Sequence, residues 1–353
     1  MQPGGKHSAP DFLRTQSYRQ RRERKTYLLL AAVMLPYSYL AGFAMGGAQA
    51  GLKLALLFGL PLVLAVMVLR WAQQKLKKLP FLLALAGHAS LYTLLLTGSL
   101  FAVAAVMPRR GSQVPLVEWV AQRGAWLYPA FFLWVLLIVG IQGVARKLGP
   151  GVFWNWIRGY YHHPRVETRI FMFLDMKDST GLAERLGDEA FSSLLRDFMI
   201  DLGDPLHATR GEVSHYVGDE AVLTWRMKHG LHNGQCVQLF FRFAEVLKER
   251  EEHYRSQYGI VPGFKAGLHS GRVVATEVGE LKSEIVYHGD VLNTTARIQG
   301  ACSELQCDLL LSKTVADQLP SLRWLELESV GAVALKGKSE AVELFCARLK
   351  LDS

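Results

Sequence analysis

Two regimes of hydrophobic patterning divide the chain. Up to about residue 145 the apolar residues come in long runs, at 27–46, 52–69, 81–107 and 126–143. Each is long enough to cross a bilayer as a helix, which takes about 20 residues. Beyond residue 168 the runs are short and periodic. Residues 169–175 read as a buried strand ending on Asp175. Phe191, Leu194, Leu195, Phe198, Met199 and Leu202 share one helical face, with Asp188 where an N-cap belongs. Strands are expected at 212–217 and 221–225, joined at Gly218-Asp219 as a hairpin. Cys236, Phe240, Phe243 and Leu247 mark a second helical face. A second hairpin is expected from 263–269 and 272–277 around Ser270-Gly271, then a helix from Asp290, then a final strand pair at 333–335 and 342–347. The pattern predicts a four-helix α-helical membrane domain followed by an α+β sandwich, with helices against an antiparallel-rich sheet.

Charge sharpens this division. The 353 residues carry 40 Lys+Arg against 31 Asp+Glu, a formal net charge of +9. Residues 1–160 hold 18 basic and 3 acidic residues, and residues 161–353 hold 22 and 28. The excess of basic residues therefore belongs to the apolar half, where it flanks the hydrophobic runs. That is a membrane-topology signal, and it argues against a nucleic-acid partner. Basic residues crowd the N-terminal tail (Lys6 and Arg14 to Lys25), the second loop (Arg70, Lys75, Lys77, Lys78) and the exit of the fourth run (Arg146, Lys147). Both termini are expected on the cytoplasmic side of the cell membrane. The first run ends near Ala48-Gln49-Ala50, which has the form of a signal-peptidase site. Its apolar core exceeds the 7–15 residues of a signal segment, so it reads as a retained helix. The expected organisation is a basic cytosolic tail (1–26), a four-span domain (27–145), a linker (146–168) and an α+β domain (169–350).

Cys236, Cys302, Cys307 and Cys346 show no metal-binding spacing, and the expectation is buried thiols in a reducing compartment. His88 is the one ionisable residue well inside a span, a candidate ligand or proton carrier against the plainer reading of a helix–helix hydrogen bond. His162 and His163, in the linker, read as surface or packing residues.

Three groups of residues carry candidate chemistry. Asp175 ends a strand and Asp219 tops a hairpin, so neighbouring strands can bring them together. Two close carboxylates repel, and Mg²⁺ or Mn²⁺ is their natural resident. Asn293 and Arg297, four apart, share a helix face suited to orienting an oxygen and meeting phosphate charge. Leu335-Lys336-Gly337-Lys338 sets a lysine in a tight turn. Taken singly, each is also what an ordinary solvated turn or helix looks like.

In combination they resemble the class III adenylyl/guanylyl nucleotide cyclase family, membrane-anchored bacterial type. The matching stretches are Phe173-Leu174-Asp175-Met176-Lys177-Asp178-Ser179-Thr180, residues 211–220 ending in Val217-Gly218-Asp219-Glu220, Ala266-Gly267-Leu268-His269-Ser270-Gly271, residues 287–297 from Tyr287 to Arg297, and residues 335–338, all in family order. The resemblance implies a ferredoxin-like core and a head-to-tail homodimer with its sites at the interface. Asp175 and Asp219 would match the metal aspartates, two ions per active site. Asn293 and Arg297, from the other protomer, would match the pair that orients the ribose and stabilises charge on the α-phosphate. Lys336 would meet the leaving pyrophosphate, and the backbone of Lys177, Asp178, Ser179 and Thr180 would lie along the phosphates. The implied reaction converts a nucleoside triphosphate, ATP favoured, to a 3′,5′-cyclic nucleotide and pyrophosphate.

Two positions depart from that pattern, and both would face the base. His215 stands where adenylyl cyclases carry Lys, and Val286 where they carry Asp, Thr or Ser. A GTP- or pyrimidine-specific cyclase, or a non-catalytic cyclase-like nucleotide-binding module, are the competing readings. A transporter with a regulatory tail has little to support it.

Overall fold

The computed structural model describes residues 160–279, 284–338 and 340–350, together with isolated positions between 10 and 133. The chain divides into two compact units, 20–148 and the remainder. Among the described residues no helix is long and apolar enough to cross a membrane. The four spans predicted above, and His88, lie outside the described residues apart from scattered positions.

The described C-terminal region opens with β1 (Arg165–Met176). Helices α1 (Ser179–Leu186) and α2 (Asp188–Ala208) follow, then the hairpin β2 (Glu212–Val217) and β3 (Glu220–Arg226). Next come α3 (Met227–Leu231), α4 (Gln235–Glu249) and α5 (Glu251–Tyr258). Then β4 (Phe264–Val278), β5 (Glu284–His288), α6 (Asp290–Ala301), β6 (Leu309–Ser312), α7 (Lys313–Ala316), β7 (Leu325–Val333) and β8 (Val342–Leu349) complete it. The sheet runs β2-β3-β1-β4-β6-β8-β7, with β5 attached to β4. Only β4 and β6 pair in parallel among these described strands.

Alternation along β1 creates two faces. Ile170, Met172 and Leu174 join the main core with Phe198 and Leu202 of α2, Phe240 and Phe243 of α4, and Tyr254 of α5. Phe171 and Phe173 face the other way, onto Tyr287 of β5, Val291 of α6 and Tyr161 from the segment entering the domain. Asp175 shares the parity of this second face. The helical faces predicted from 191–202 and 236–247 are the ones that meet the core.

Four sequence expectations are corrected. The second hairpin does not exist: 264–278 is one unbroken strand, paired with β1 from Met176↔Phe264 to Arg165↔Ala275. Ser270-Gly271 lies mid-strand. Gly271 is there because α6 approaches closely, since a Cβ on it would sit 3.1 Å from Val291. The penultimate strand is Leu325–Val333 instead of 333–335, and Leu335 turns inward beside Ile298 and Leu344. The helix cap is Gly187, and Asp188 is the first helical residue, its charge beside the positive helix end. Finally, Cys307 and Cys346 form a disulfide, while Cys236 and Cys302 are buried thiols. The antiparallel pairing of β6 with β8 sets Leu310 opposite Cys346 and brings Cys307 within reach. A separation of 39 residues hides that proximity in the sequence.

Candidate functional site

The β1–β3 pairing places Asp175 directly across from Glu220, at the end of the hairpin whose turn is Gly218-Asp219. Gly218 takes φ 60, a left-handed turn that costs glycine little. The carboxyls of Asp175 and Asp219 lie close enough to interact directly. Burial first, then that contact and the charge of Asp219, push Asp175 up to about 6. Burial and the charges of Asp175 and Asp219 push Glu220 up to about 7. Lys265 and Gln299 act in the opposite sense on Asp175. Gln299 Nε2 donates to its Oδ2 at 3.0 Å and Lys265 Nζ stands 3.8 Å away.

Among the described residues, no group of three or more His, Cys, Asp or Glu side chains is arranged to hold a metal ion. The donor set at this point is therefore the pair Asp175 and Asp219. That is a poor cage by itself, but it suits Mg²⁺, which takes one or two carboxylates and draws its other oxygens from phosphates and water.

The raised pKa values give a signed expectation. Asp175 and Glu220 hold protons in the folded state that the unfolded chain has released. Stability without metal should thus fall as pH rises from their ordinary values of 3.8 and 4.5 towards about 7, and level off above that. A divalent cation competes with the same proton, so the stabilisation by Mn²⁺ should grow between pH 5 and 8. Thermal melts with and without Mn²⁺ across that range check it. A metal effect independent of pH would contradict it.

Beyond Asp175 the chain enters the loop Lys177–Thr180. Asp178 adopts φ 55, ψ 34 at the start of α1, and its carboxylate fills the space over Gly181, where a Cβ would lie 2.6 Å from Oδ1. Lys177 pairs with Asp308 at 2.5 Å, and its backbone N–H donates to Gly263. Ser179 is half-buried, while Lys177 and Thr180 are exposed. An open cleft of about 460 Å³ lies between Lys177, Asp178, Lys265, Ser303 and Asp308.

The second group gathers on α6 and the 335–338 turn. Arg297 lays its guanidinium over Gly337, where a Cβ would be 3.2 Å from a terminal nitrogen. Lys338 is ion-paired with Asp290 at the first turn of α6, and Thr294 Oγ1 donates to the same carboxylate at 3.3 Å. Lys338 holds Asp290 below the usual carboxylate range. Lys336 and Asn293 are exposed. Gln299 lies two residues past Arg297, about 200° around a helix. The face of α6 that meets Asp175 is thus not the face that presents Asn293 and Arg297. The chain brings Asp175 to Asp219, and Arg297 to the lysine turn, as two separate groups.

The family model for the adenylate and guanylate cyclase catalytic domain matches residues 162–347, over half of the chain. The chain belongs to that family. It is 34% identical over 203 residues to adenylate cyclase 2 of Rhizobium meliloti (strain 1021), covering 58% of this chain and 56% of the relative. It is 21% identical over 186 residues to an adenylate cyclase of Anabaena cylindrica, covering 49% and 35%. The chain thus spans about half or less of these relatives' lengths. A solved structure of a bacterial light-regulated adenylyl cyclase aligns over 63% of this chain and 65% of its own, with TM-score 0.53 and 18% identity, a likeness of fold.

Within this cyclase domain, the two departing positions sit on peripheral strands. His215 lies on β2, just after the irregularity between Val213 and His215. It is exposed, with Nδ1 2.9 Å from Ser214 Oγ. Partial burial lowers its pKa, and Glu284 of β5 opposes that. Val286 lies on β5, opposite Thr276 of β4, and is half-buried. The sequence reading missed Lys265, Gln299 and Glu220. Glu220 stood beside Asp219 and was open to being noticed. Gln299 reaches Asp175 across 124 residues, and Lys265 faces it only through the β1–β4 register. Neither has a local signal.

Proposed function

We propose that the protein is a membrane-anchored nucleotide cyclase that forms a 3′,5′-cyclic nucleotide and pyrophosphate from a nucleoside triphosphate, ATP favoured, in a homodimer. The observation that carries this reading is the contact of the Asp175 and Asp219 carboxyls beside a cleft lined by Lys177 and Lys265. Asp175 and Asp219 would hold two divalent ions, which supply activation of the ribose 3′-hydroxyl and neutralisation of the triphosphate charge. The 3′-hydroxyl gives up its proton to water, its oxygen bonds to the α-phosphorus, the bond to the bridging oxygen breaks, and pyrophosphate leaves with its electrons. The backbone of Lys177–Thr180 would lie along the phosphates. Asn293 of the second protomer would orient the ribose, and its Arg297 would meet charge on the α-phosphate. Lys336 would meet the leaving group.

The separation of the Asn293/Arg297 face from Asp175 supports a site completed by a second copy. The names of the relatives above support ATP. Val286 weakens that preference, because it offers no partner to an exocyclic amine. Such a missing bond costs about 1–3 kcal/mol, roughly 5- to 150-fold in discrimination. GTP or a pyrimidine triphosphate is the second reading, and Val286 is what favours it. The four apolar runs support anchoring in the cell membrane with both termini cytoplasmic.

The test incubates the full chain in detergent with each of the four nucleoside triphosphates and Mn²⁺. One cyclic product is expected, and none from any of the four ends the reading. Mixing equal amounts of Asp175→Asn and Arg297→Ala should restore about a quarter of parent activity, since half the dimers would be mixed and each would hold one intact site. No restoration on mixing would end the shared-site arrangement.

A further inference from the structure

Arg169 is wholly buried near the middle of β1, with the same parity as Asp175 and six residues before it. A buried guanidinium is tolerated only when its charge and donors are met. Here every side of it is met by a different element. Nε donates to Thr224 Oγ1 of β3 at 3.0 Å, and one terminal nitrogen donates to Glu167 of β1 at 3.0 Å. The other terminal nitrogen is bonded to Glu212 of β2. The plane lies 5.0 Å from the ring centroid of Tyr287 on β5. Glu212 and Glu167 together hold Arg169 firmly in its charged form.

Two of these attachments are to strands at the margin of the sheet, although β5 also packs through Tyr287 against Phe171. Among the described strands β2 pairs with β3 alone and β5 with β4 alone, each over five residue pairs, and β2 and β5 also approach each other. Those are the strands that carry His215 and Val286. Glu212 lies three residues before His215, and Tyr287 directly follows Val286. We propose that Arg169 is a positioning residue for base recognition. By gripping β2 through Glu212 and β5 through Tyr287, it sets the spacing between His215 and Val286. This rests on the proposed function, in which those two positions face the base. Asp219 lies beyond the far end of β2 and is held by the turn, so metal binding and the chemical step are insulated from a loss at Glu212.

The test compares Glu212→Ala, which strands one arm of Arg169, with Glu212→Gln, whose amide oxygen still accepts its hydrogen bond. Arg169→Lys, which keeps charge without the fork, is the third variant. In the full chain, binding of fluorescent ATP and GTP analogues is measured without turnover, and kcat and KM with it. E212A is expected to raise Kd and KM by at least about fivefold and to shift the ATP-to-GTP ratio, with kcat within about twofold; E212Q should match the parent. R169K should follow E212A if it folds. An E212A protein with parental Kd and ratio overturns the proposal, as does one whose loss falls mainly on kcat. A parent that binds nucleotide yet makes no cyclic product counts against the proposed function alone, because the binding ratios still read the role of Arg169.

Discussion

Asp175→Asn is expected to lower cyclic-nucleotide formation by at least about a thousandfold while leaving the domain folded. The argument is electrostatic. Asp175 is already penalised by burial and by the neighbouring Asp219, and it is held up to about 6 for those reasons. An amide of the same shape relieves both penalties and can still meet Gln299. The metal-free variant should therefore melt at or above the parent temperature at neutral pH. What it loses is half of the donor pair for a divalent ion, together with the charge that makes the pair worth a cation. Turnover with Mn²⁺ and thermal melts with and without Mn²⁺ separate the two effects. Activity within tenfold of the parent, or equal stabilisation of both proteins by Mn²⁺, would remove Asp175 from the site.

Gly267→Ala is expected to disable the enzyme by a different route. Gly267 lies on β4 beneath α6, and a Cβ there would stand 2.4 Å from the backbone N of Gln299 and 2.8 Å from its Cα. Neither atom belongs to a side chain that can swing away. The helix must lift bodily, and overpacking of this kind costs about 1–3 kcal/mol, occasionally more. For a domain of this size that is a fall of roughly 2–4 °C per kcal/mol. Asn293, Arg297 and Gln299 all ride on the displaced helix. A shift of about 1 Å in a positioned group costs on the order of a hundredfold in rate. Gly300→Ala is the matched control. It changes the same helix, but its Cβ would meet nothing within 4 Å. There the better helix propensity of alanine should stabilise by up to about 1 kcal/mol. Equal melting temperatures for the two variants would show that the close approach at Gly267 is not a constraint.

The parts of this molecule legible in the sequence are those written locally. Helical spacing from Phe191 to Leu202 and from Cys236 to Leu247 marked core faces, because each periodic residue packs inward. The strand ending at Asp175 and the turn at Asp219 were visible for the same reason, and the structure brings their carboxyls into contact. Misreadings arose where one residue type serves two purposes. Ser270-Gly271 has the composition of a turn, but its glycine answers to Val291 from another element. Contacts set by register alone were not legible at all. Gln299 on Asp175, Lys265 beside it, the Cys307–Cys346 link and the Arg169 cluster each depend on which strands lie side by side.

Tyr161 is buried against the sheet, its hydroxyl donating to Glu167 and its carbonyl accepting from the Glu277 amide. Glu167 is in turn bonded to Arg169. Tyr160 and Tyr161, just ahead of β1, are consequently a plug in the domain. A chimera that grafts this catalytic unit onto a foreign input module has to be spliced upstream of Tyr160. A junction placed at β1 itself would uncork the face on which Phe171 and Tyr287 meet.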